Sequence, residues 1–397
     1  MKTARFALTV LFLVIITVPL LLIDRKTPFS MLERRFLAKP PTVFSEGKFN
    51  VKLAAALPAQ VDAYVNDRFA FRSKIITFMK VVDFIVLGRS HDHKLLVGKD
   101  RWLFYIDKTL GDEHANFKKS NLFNASQMSR FMESLALVNN VCEENNVQFI
   151  FLIVPATSTV YPEMYPYPRP EGMSRTDQIL AAMPDSVREK TIFPLDYFLE
   201  KKEERPLPLY YNNGLHWTKL ACYYAFELIY EKLLPDFPNL PEIKFKFSPY
   251  IDPGEDNYAR LWWGLEKFGR SLVMMNVEPL DGWESHYKYT VCDSVEEGFY
   301  NTVVGLNSRK GKYGIVTENK DKSLPTALVM RDSYFVDLEP FTSLLFSTAE
   351  YVWTQPEKRT IQYLIDAPEK PDVFIWEFGE RALEAIPMYK PGFFPHD

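Results

Sequence analysis

The chain has 397 residues, 47% of them hydrophobic and 15% aromatic, with a formal net charge of −4. This is enough apolar material for a large core, in two domains or in one domain with an insertion. The near-balanced charge gives no basic field and argues against a nucleic-acid partner, and Cys142, Cys222 and Cys292 show no metal-ligand spacing and allow at most one disulfide.

The first element is an apolar run. Lys2 and Arg5 precede Phe6 to Ile23, eighteen residues without a charge. A positive start before such a run predicts a signal or signal anchor. No small-residue cleavage pattern follows, so residues 1–30 are expected to stay as a membrane helix, with residues 31–397 exported. Arg25 and Lys26 put basic residues on the far side as well, so charge asymmetry adds nothing to the orientation. Residues 31–60, with Pro40, Pro41 and Pro58, read as an extended stalk. Val61 to Leu87 spaces its apolar residues helically and predicts one amphipathic helix. Leu95 to Ile106 predicts a hairpin turning at Gly98-Lys99-Asp100.

Strands and helices then alternate. Asn124 with Gln127 gives a capping-box start to a helix ending near Glu144. Val147 to Val154 is a continuous apolar strand stopped by Pro155, and Thr191 to Leu195 is a shorter one. Thr218 caps a helix running to Leu234. Ala327 to Met330, Tyr351 to Trp353 and Val373 to Trp376 supply three more strands, with helical segments around Val336 to Phe346 and Glu357 to Ile365. Such alternation predicts an α/β fold, a parallel sheet with helices on both faces. Residues from about 240 to 322 break the pattern and read as an irregular, β-rich insertion. Its Trp262, Trp263, Trp283, Tyr287 and Tyr289 suit either sugar stacking or a core.

Two segments carry chemistry. In Thr326 to Val336 an apolar strand stops at Arg331-Asp332-Ser333 and a helix-like segment follows. Ser333 therefore stands on a strand-to-helix turn, where a nucleophile can be presented; the plainer reading is a serine that caps a helix. The Ser333 and Tyr334 N–H groups are the expected oxyanion donors. Arg331 is expected to face either the site or solvent. In Tyr210 to Leu220, His216 lies just ahead of the Thr218 cap. A helix N-terminus disfavours imidazolium, which suits a general base. The alternative is a histidine that packs with Trp217 against the helix start.

A His-Trp loop ahead of a long helix, followed much later by Asp-Ser after a strand, resembles the alginate O-acetyltransferase group of SGNH hydrolase-like proteins, the AlgJ/AlgX-like and DHHW-related family. Further pieces fit in the same order: Glu33-Arg34-Arg35-x-Leu37-Ala38, Asp67-Arg68-Phe69-x-Phe71-Arg72, Val97-Gly98-Lys99-Asp100-x-Trp102-Leu103-Phe104, Val154-Pro155 running to Tyr161-Pro162-Glu163, and Glu377-Phe378-Gly379-Glu380-Arg381. The resemblance covers nearly the whole exported part. It implies an SGNH-like, flavodoxin-like α/β fold; no cofactor or metal is expected, and the N-terminal run is expected to anchor the protein outside the cytoplasm. It also implies acetyl transfer onto hydroxyls of an alginate-like polysaccharide, with a membrane-bound O-acyltransferase supplying the acetyl group.

Carried over by position, Ser333 is the nucleophile, His216 its general base, and Asp332 the aspartate of the Asp-Ser pair. The family pattern Thr-Asp-x-His-Trp reads here Asn213-Gly214-Leu215-His216-Trp217, so the orienting carboxylate is missing at Gly214. Asn212, Asn213, Asp196 and Glu377 are candidates to stand in for it. A transferase leads; a catalytically degenerate protein that binds glycan or an assembly partner, and an acetyl esterase, are the alternatives.

Overall fold

The computed structural model describes residues 2–30, 35–90, 93–106, 111–252, 272–292, 314–353 and 370–388. They fall into two compact units, one within residues 1–92 and one from residue 93 onward.

In the first unit the apolar run forms helix α1, Lys2–Leu21, with Phe6, Leu8, Phe12, Ile15 and Leu21 all exposed. Among the described residues, which omit several side chains of α1, no helix is long and apolar enough to cross a membrane. The stalk is partly folded. Phe29 pairs with Phe36, and Phe44 with Phe49, in two short antiparallel ladders. The Arg35 guanidinium meets Asp67 at 2.6 Å, and Ala38 N donates to the same carboxylate at 2.7 Å. These contacts, the Arg35 hydrogen bond foremost, hold the Asp67 carboxyl down at about 2. Buried Arg68 donates to the Thr27 and Ala38 carbonyls.

The single helix expected over Val61 to Leu87 is instead two, α2 (Leu57–Arg68) and α3 (Arg72–Val81), the second running on as a π-helical turn to Val86. The break falls at Phe71, whose φ of 64° is left-handed, a conformation that cannot continue a right-handed helix. Hydrophobic spacing does not register such a break, because the apolar stripe resumes in phase after it.

The second unit opens with the expected hairpin, β1 (Leu95–Val97) and β2 (Leu103–Tyr105). Helix α4 (Ala125–Glu144) starts on the Asn124/Gln127 capping box and leads into β3 (Gln148–Val154). There follow α5 (Arg175–Ala182), β4 (Thr191–Ile192), α6 (Leu195–Glu204) and α7 (Lys219–Leu233), the last capped by Thr218. Strands β5 (Phe245–Ile251) and β6 (Val273–Pro279) pair antiparallel as a separate ribbon. Then come β7 (Tyr287–Cys292), β8 (Gly314–Asn319), β9 (Thr326–Arg331), β10 (Thr348–Trp353) and β11 (Val373–Gly379).

Seven strands form one sheet in the order β7-β8-β10-β9-β11-β3-β4. The five from β10 to β4 are parallel. The sheet is mixed rather than purely parallel, because β7 and β8 add an antiparallel edge. On one face Phe131, Leu135 and Val138 of α4 pack with Phe149, Phe151, Ile153, Met330, Trp376 and Phe378. Ile150, Leu152, Val329 and Ile375 on the other face are also fully buried, which is why the central strands read as unbroken apolar runs.

The helical segment expected over Val336 to Phe346 is two short turns, a 3-10 turn at Ser333–Asp337 and an α turn at Glu339–Thr342. The helix expected over Glu357 to Ile365, with Trp262, Trp263 and the Tyr289 side chain, lies outside the described residues. From β9 the next strand lies to one side, and from β3 it lies to the other. The carboxyl ends of β9, β11 and β3 therefore border a switch point, where open α/β sheets take their ligands.

Phe151 is fully buried and meets Phe131, Trp376 and Phe378 at ring-centroid distances of 6.4, 5.9 and 6.5 Å. Phe151→Ala should cost about 3–5 kcal/mol, read as a lowered urea midpoint with an unchanged m-value.

Candidate active site

Strand β9 ends in a tightly held turn. Asp332 is extended and caps the following 3-10 turn, its Oδ1 accepting from Tyr334 N at 2.7 Å. Its Oδ2 accepts from Gly379 N at 3.0 Å. The Asp332 N–H in turn donates to Glu377 Oε2 at 2.7 Å. Gly379 is required by close approach: a Cβ there would lie 2.9 Å from the Tyr334 ring and 3.2 Å from Asp332 Oδ2. Ser333, half-buried, is carried on this turn at the carboxyl end of the sheet.

His216 comes from the loop between α6 and α7, which is fixed at several points. Tyr210 and Trp217 form an isolated antiparallel bridge, and the Asn212 carbonyl accepts from Leu103 N in β2 at 2.8 Å. The Tyr210 hydroxyl donates to the Pro155 carbonyl at 2.5 Å, at the end of β3. The fully buried Trp217 indole N–H donates to the Tyr334 carbonyl at 2.6 Å. This last bond joins the histidine loop to the serine turn. As a result His216 Nε2 lies 3.0 Å from Ser333 Oγ, across 117 positions of sequence. The imidazole also meets the Tyr334 ring at 5.4 Å with the planes nearly perpendicular.

A serine hydroxyl hydrogen-bonded to an imidazole nitrogen is the minimal arrangement for nucleophilic acyl chemistry with a general base. The remaining candidates are placed as follows. Asp332 stands beside this pair, with its two oxygens given to the Tyr334 and Gly379 backbone, so it holds the turn. Glu377 accepts from the same turn. Asp196 lies in the first turn of α6, and Asn212 and Asn213 are buried within the histidine loop.

Of the two expected oxyanion donors, the Tyr334 N–H is claimed by the capping Asp332 carboxylate. The Ser333 N–H is left as the donor of this turn, with no acceptor among the described residues. Arg331 does not face solvent: it is 3% exposed and pairs with buried Glu339 at 2.7 Å.

Behind the turn lies a buried polar layer. Glu380 Oε2 accepts from Ala156 N at 2.8 Å and from Thr159 Oγ1 at 2.7 Å, and its Oε1 from Thr176 Oγ1 at 3.0 Å. Glu113 accepts from Ser158 N at 3.1 Å; burial pushes its carboxyl up, against the pull of Arg381. The Arg381 guanidinium lies 5.9 Å from the Tyr334 ring centroid and 5.7 Å from that of Tyr105. The Glu377-to-Arg381 motif pointed to part of this layer, but nothing in the sequence marked Glu113, one acid among many.

Residues 95–255 match a family model described as ALGX, SGNH hydrolase-like domain, acetyltransferase AlgX; the match takes in His216 and stops short of Ser333. No curated protein sequence matches the chain. Among solved structures it is similar to Bacillus cereus PatB1 with a sulfonyl adduct, at 16% identity over 75% of this chain and 99% of that one, with a TM-score of 0.51. It is also similar to the O-acetyltransferase domain of Pseudomonas putida AlgJ, at 16% identity over 76% and 95% of the two chains and a TM-score of 0.47. A DHHW family protein from Eubacterium siraeum gives 14% identity, 75% and 95% coverage and a TM-score of 0.46. The resemblance to the AlgX-like SGNH hydrolase-like domain read from the sequence is borne out over residues 95–255, and the fold is of the SGNH hydrolase-like α/β kind.

Trp217→Phe keeps the aromatic packing and removes the 2.6 Å bond to the Tyr334 carbonyl. Losing that buried hydrogen bond should cost about 0.5–1.5 kcal/mol of stability. It should also slow covalent labelling of Ser333 by a sulfonyl fluoride, followed by mass spectrometry.

Proposed function

We propose that this protein transfers acetyl groups onto hydroxyls of a polysaccharide through an acyl-Ser333 intermediate. The observation that carries the reading is the 3.0 Å contact between Ser333 Oγ and His216 Nε2, brought together from segments 117 positions apart. As Oγ bonds to the carbonyl carbon of the acetyl donor, His216 Nε2 takes the hydroxyl proton. The Ser333 N–H offers a hydrogen bond to the carbonyl oxygen as it gains charge. Collapse breaks the bond to the leaving group, which takes the proton from His216. A sugar hydroxyl then attacks the acyl-serine and gives its proton to His216. The acetyl ester passes to the sugar, and Ser333 Oγ regains its proton. Water in place of the sugar makes the same sequence an esterase reaction.

The same reading puts the protein outside the cytoplasm, held to a membrane by α1, with a membrane-bound O-acyltransferase supplying the acetyl group and an alginate-like chain receiving it. What supports the anchor is the uncharged run from Phe6 to Ile23 and the exposure of its apolar side chains.

The test is acetyl transfer from a chromogenic ester to an oligosaccharide. Ser333→Ala and His216→Ala should each lower it by at least about 10³-fold, in protein that still folds. Transfer that survives Ser333→Ala would remove the enzyme reading and leave a glycan- or partner-binding protein on the same scaffold.

A further inference from the structure

The backbone ladder between β9 and β11 has its last register pair at Met330 and Trp376. Beyond it, side chains take over the pairing in both directions. Asp332 N donates to the Glu377 side chain at 2.7 Å, and Gly379 N donates to the Asp332 side chain at 3.0 Å. The carboxyl groups of adjacent strand ends therefore cross over, each holding the other strand's main chain. The Asp332 carboxylate also holds Tyr334 N, so the three residues from Asp332 to Tyr334, with Ser333 in the middle, are fixed from β11.

Glu377 is fully buried. Its Oε2 takes the Asp332 N–H, whereas its Oε1 has no hydrogen-bond partner of its own in the protein among the described residues. A carboxylate with one oxygen buried and bare of donors is costly; a carboxylic acid there is not. The charged groups near it are Asp332, which disfavours a second negative charge, and Arg331, which pulls the other way and is itself paired with Glu339. Burial first, and the Asp332 carboxylate second, push the Glu377 carboxyl well above its usual range. In its neutral form Glu377 accepts from the Asp332 backbone and has the neighbouring Asp332 carboxylate to accept its proton.

We propose that Glu377 is a positioning residue for the nucleophile, acting as a neutral carboxylic acid whose bonds to the Asp332 backbone and side chain set the turn that presents Ser333 to His216. This rests on the reading of Ser333 as the nucleophile. It makes a specific chemical claim, because a neutral acid has a close substitute. In Glu377→Gln the amide oxygen accepts from Asp332 N and the amide N–H donates to the Asp332 carboxylate. In Glu377→Leu neither bond exists, although the volume is nearly kept.

Two measurements on the full chain decide it. The first is the rate of acyl-Ser333 formation from a chromogenic acetyl ester, with kcat and KM separated. Glu377→Leu should lower kcat by about 10²-fold, the scale of a roughly 1 Å misplacement, with KM little changed. Glu377→Gln should stay near the wild-type rate. The second is amide hydrogen exchange at Asp332 and Tyr334, which does not depend on Ser333 being catalytic. Protection should be kept in the Gln variant and lost in the Leu variant while the central strands stay protected in both. A Gln variant as impaired as the Leu variant by either measure would mean that the ionised carboxylate is required and overturn the proposal. A Leu variant indistinguishable from wild type would overturn it as well. If instead wild type and Ser333→Ala acylate alike, the enzyme reading fails, and the exchange pattern alone still decides whether Glu377 sets the turn.

Discussion

The hydrogen bond from the Trp217 indole to the Tyr334 carbonyl is the contact on which the site depends. Ser333 and His216 belong to segments with no local reason to meet, one at the end of a sheet strand and the other in a loop before a helix. A single side chain, fully buried and one residue from His216, reaches a carbonyl one residue from Ser333. A bond this close to both functional groups transmits little slack. Because the donor is buried, no water takes its place when the bond breaks.

Around that bond the protein tolerates an expensive arrangement. Glu113, Glu339, Glu377 and Glu380 are all within 2% of complete burial, with Arg175, Arg331 and Arg381 beside them at 6% exposure or less. Desolvating so many ionisable groups is unfavourable unless hydrogen bonds and opposite charges meet them. Side chains meet some of them and main chain meets others. Glu380 takes Ala156 N, Glu113 takes Ser158 N, Glu377 takes Asp332 N, and the Arg381 carbonyl takes Arg175. The carboxyl groups of Glu113, Glu377 and Glu380 are thus tied to the backbone just after a strand end, where the sheet's own ladder has run out, and that of Glu339 is met by Arg331. The layer continues the sheet by side-chain means and gives the loops of the site a rigid floor.

Much of this fold was legible in the sequence, for physical reasons. Strands covered on both faces must be apolar throughout, so β3, β9 and β11 stood out as runs. The Asn124 and Thr218 caps were visible because short polar side chains at helix starts have few other uses. Ser333 and His216 were legible as a turn after a strand and a loop before a capped helix, which are recognisable contexts. What escaped was set by tertiary neighbours. Phe71 breaks a helix whose apolar phase gives no warning. The Tyr334 N–H, a natural oxyanion donor by position, is occupied because Asp332 bends back onto it. The β7–β8 edge lies in a stretch whose composition looked irregular, since an edge needs less continuous apolar character than a centre.

Gly214 changes what the scaffold has to supply. In a Ser-His-Asp arrangement the carboxylate does two things: it fixes the ring and tautomer of the histidine, and it stabilises the imidazolium that forms when the serine proton is taken. Glycine has no side chain for either task. The first task has visible substitutes in the Trp217 bond, the Tyr210–Trp217 bridge, the Tyr334 ring and the contact with Ser333 itself. These bear on the ring through packing and backbone bonds. The second task is electrostatic, and neutral packing does not perform it. Gly214 therefore leaves the resting geometry intact, with a 3.0 Å Ser333–His216 contact held without a side chain at that position.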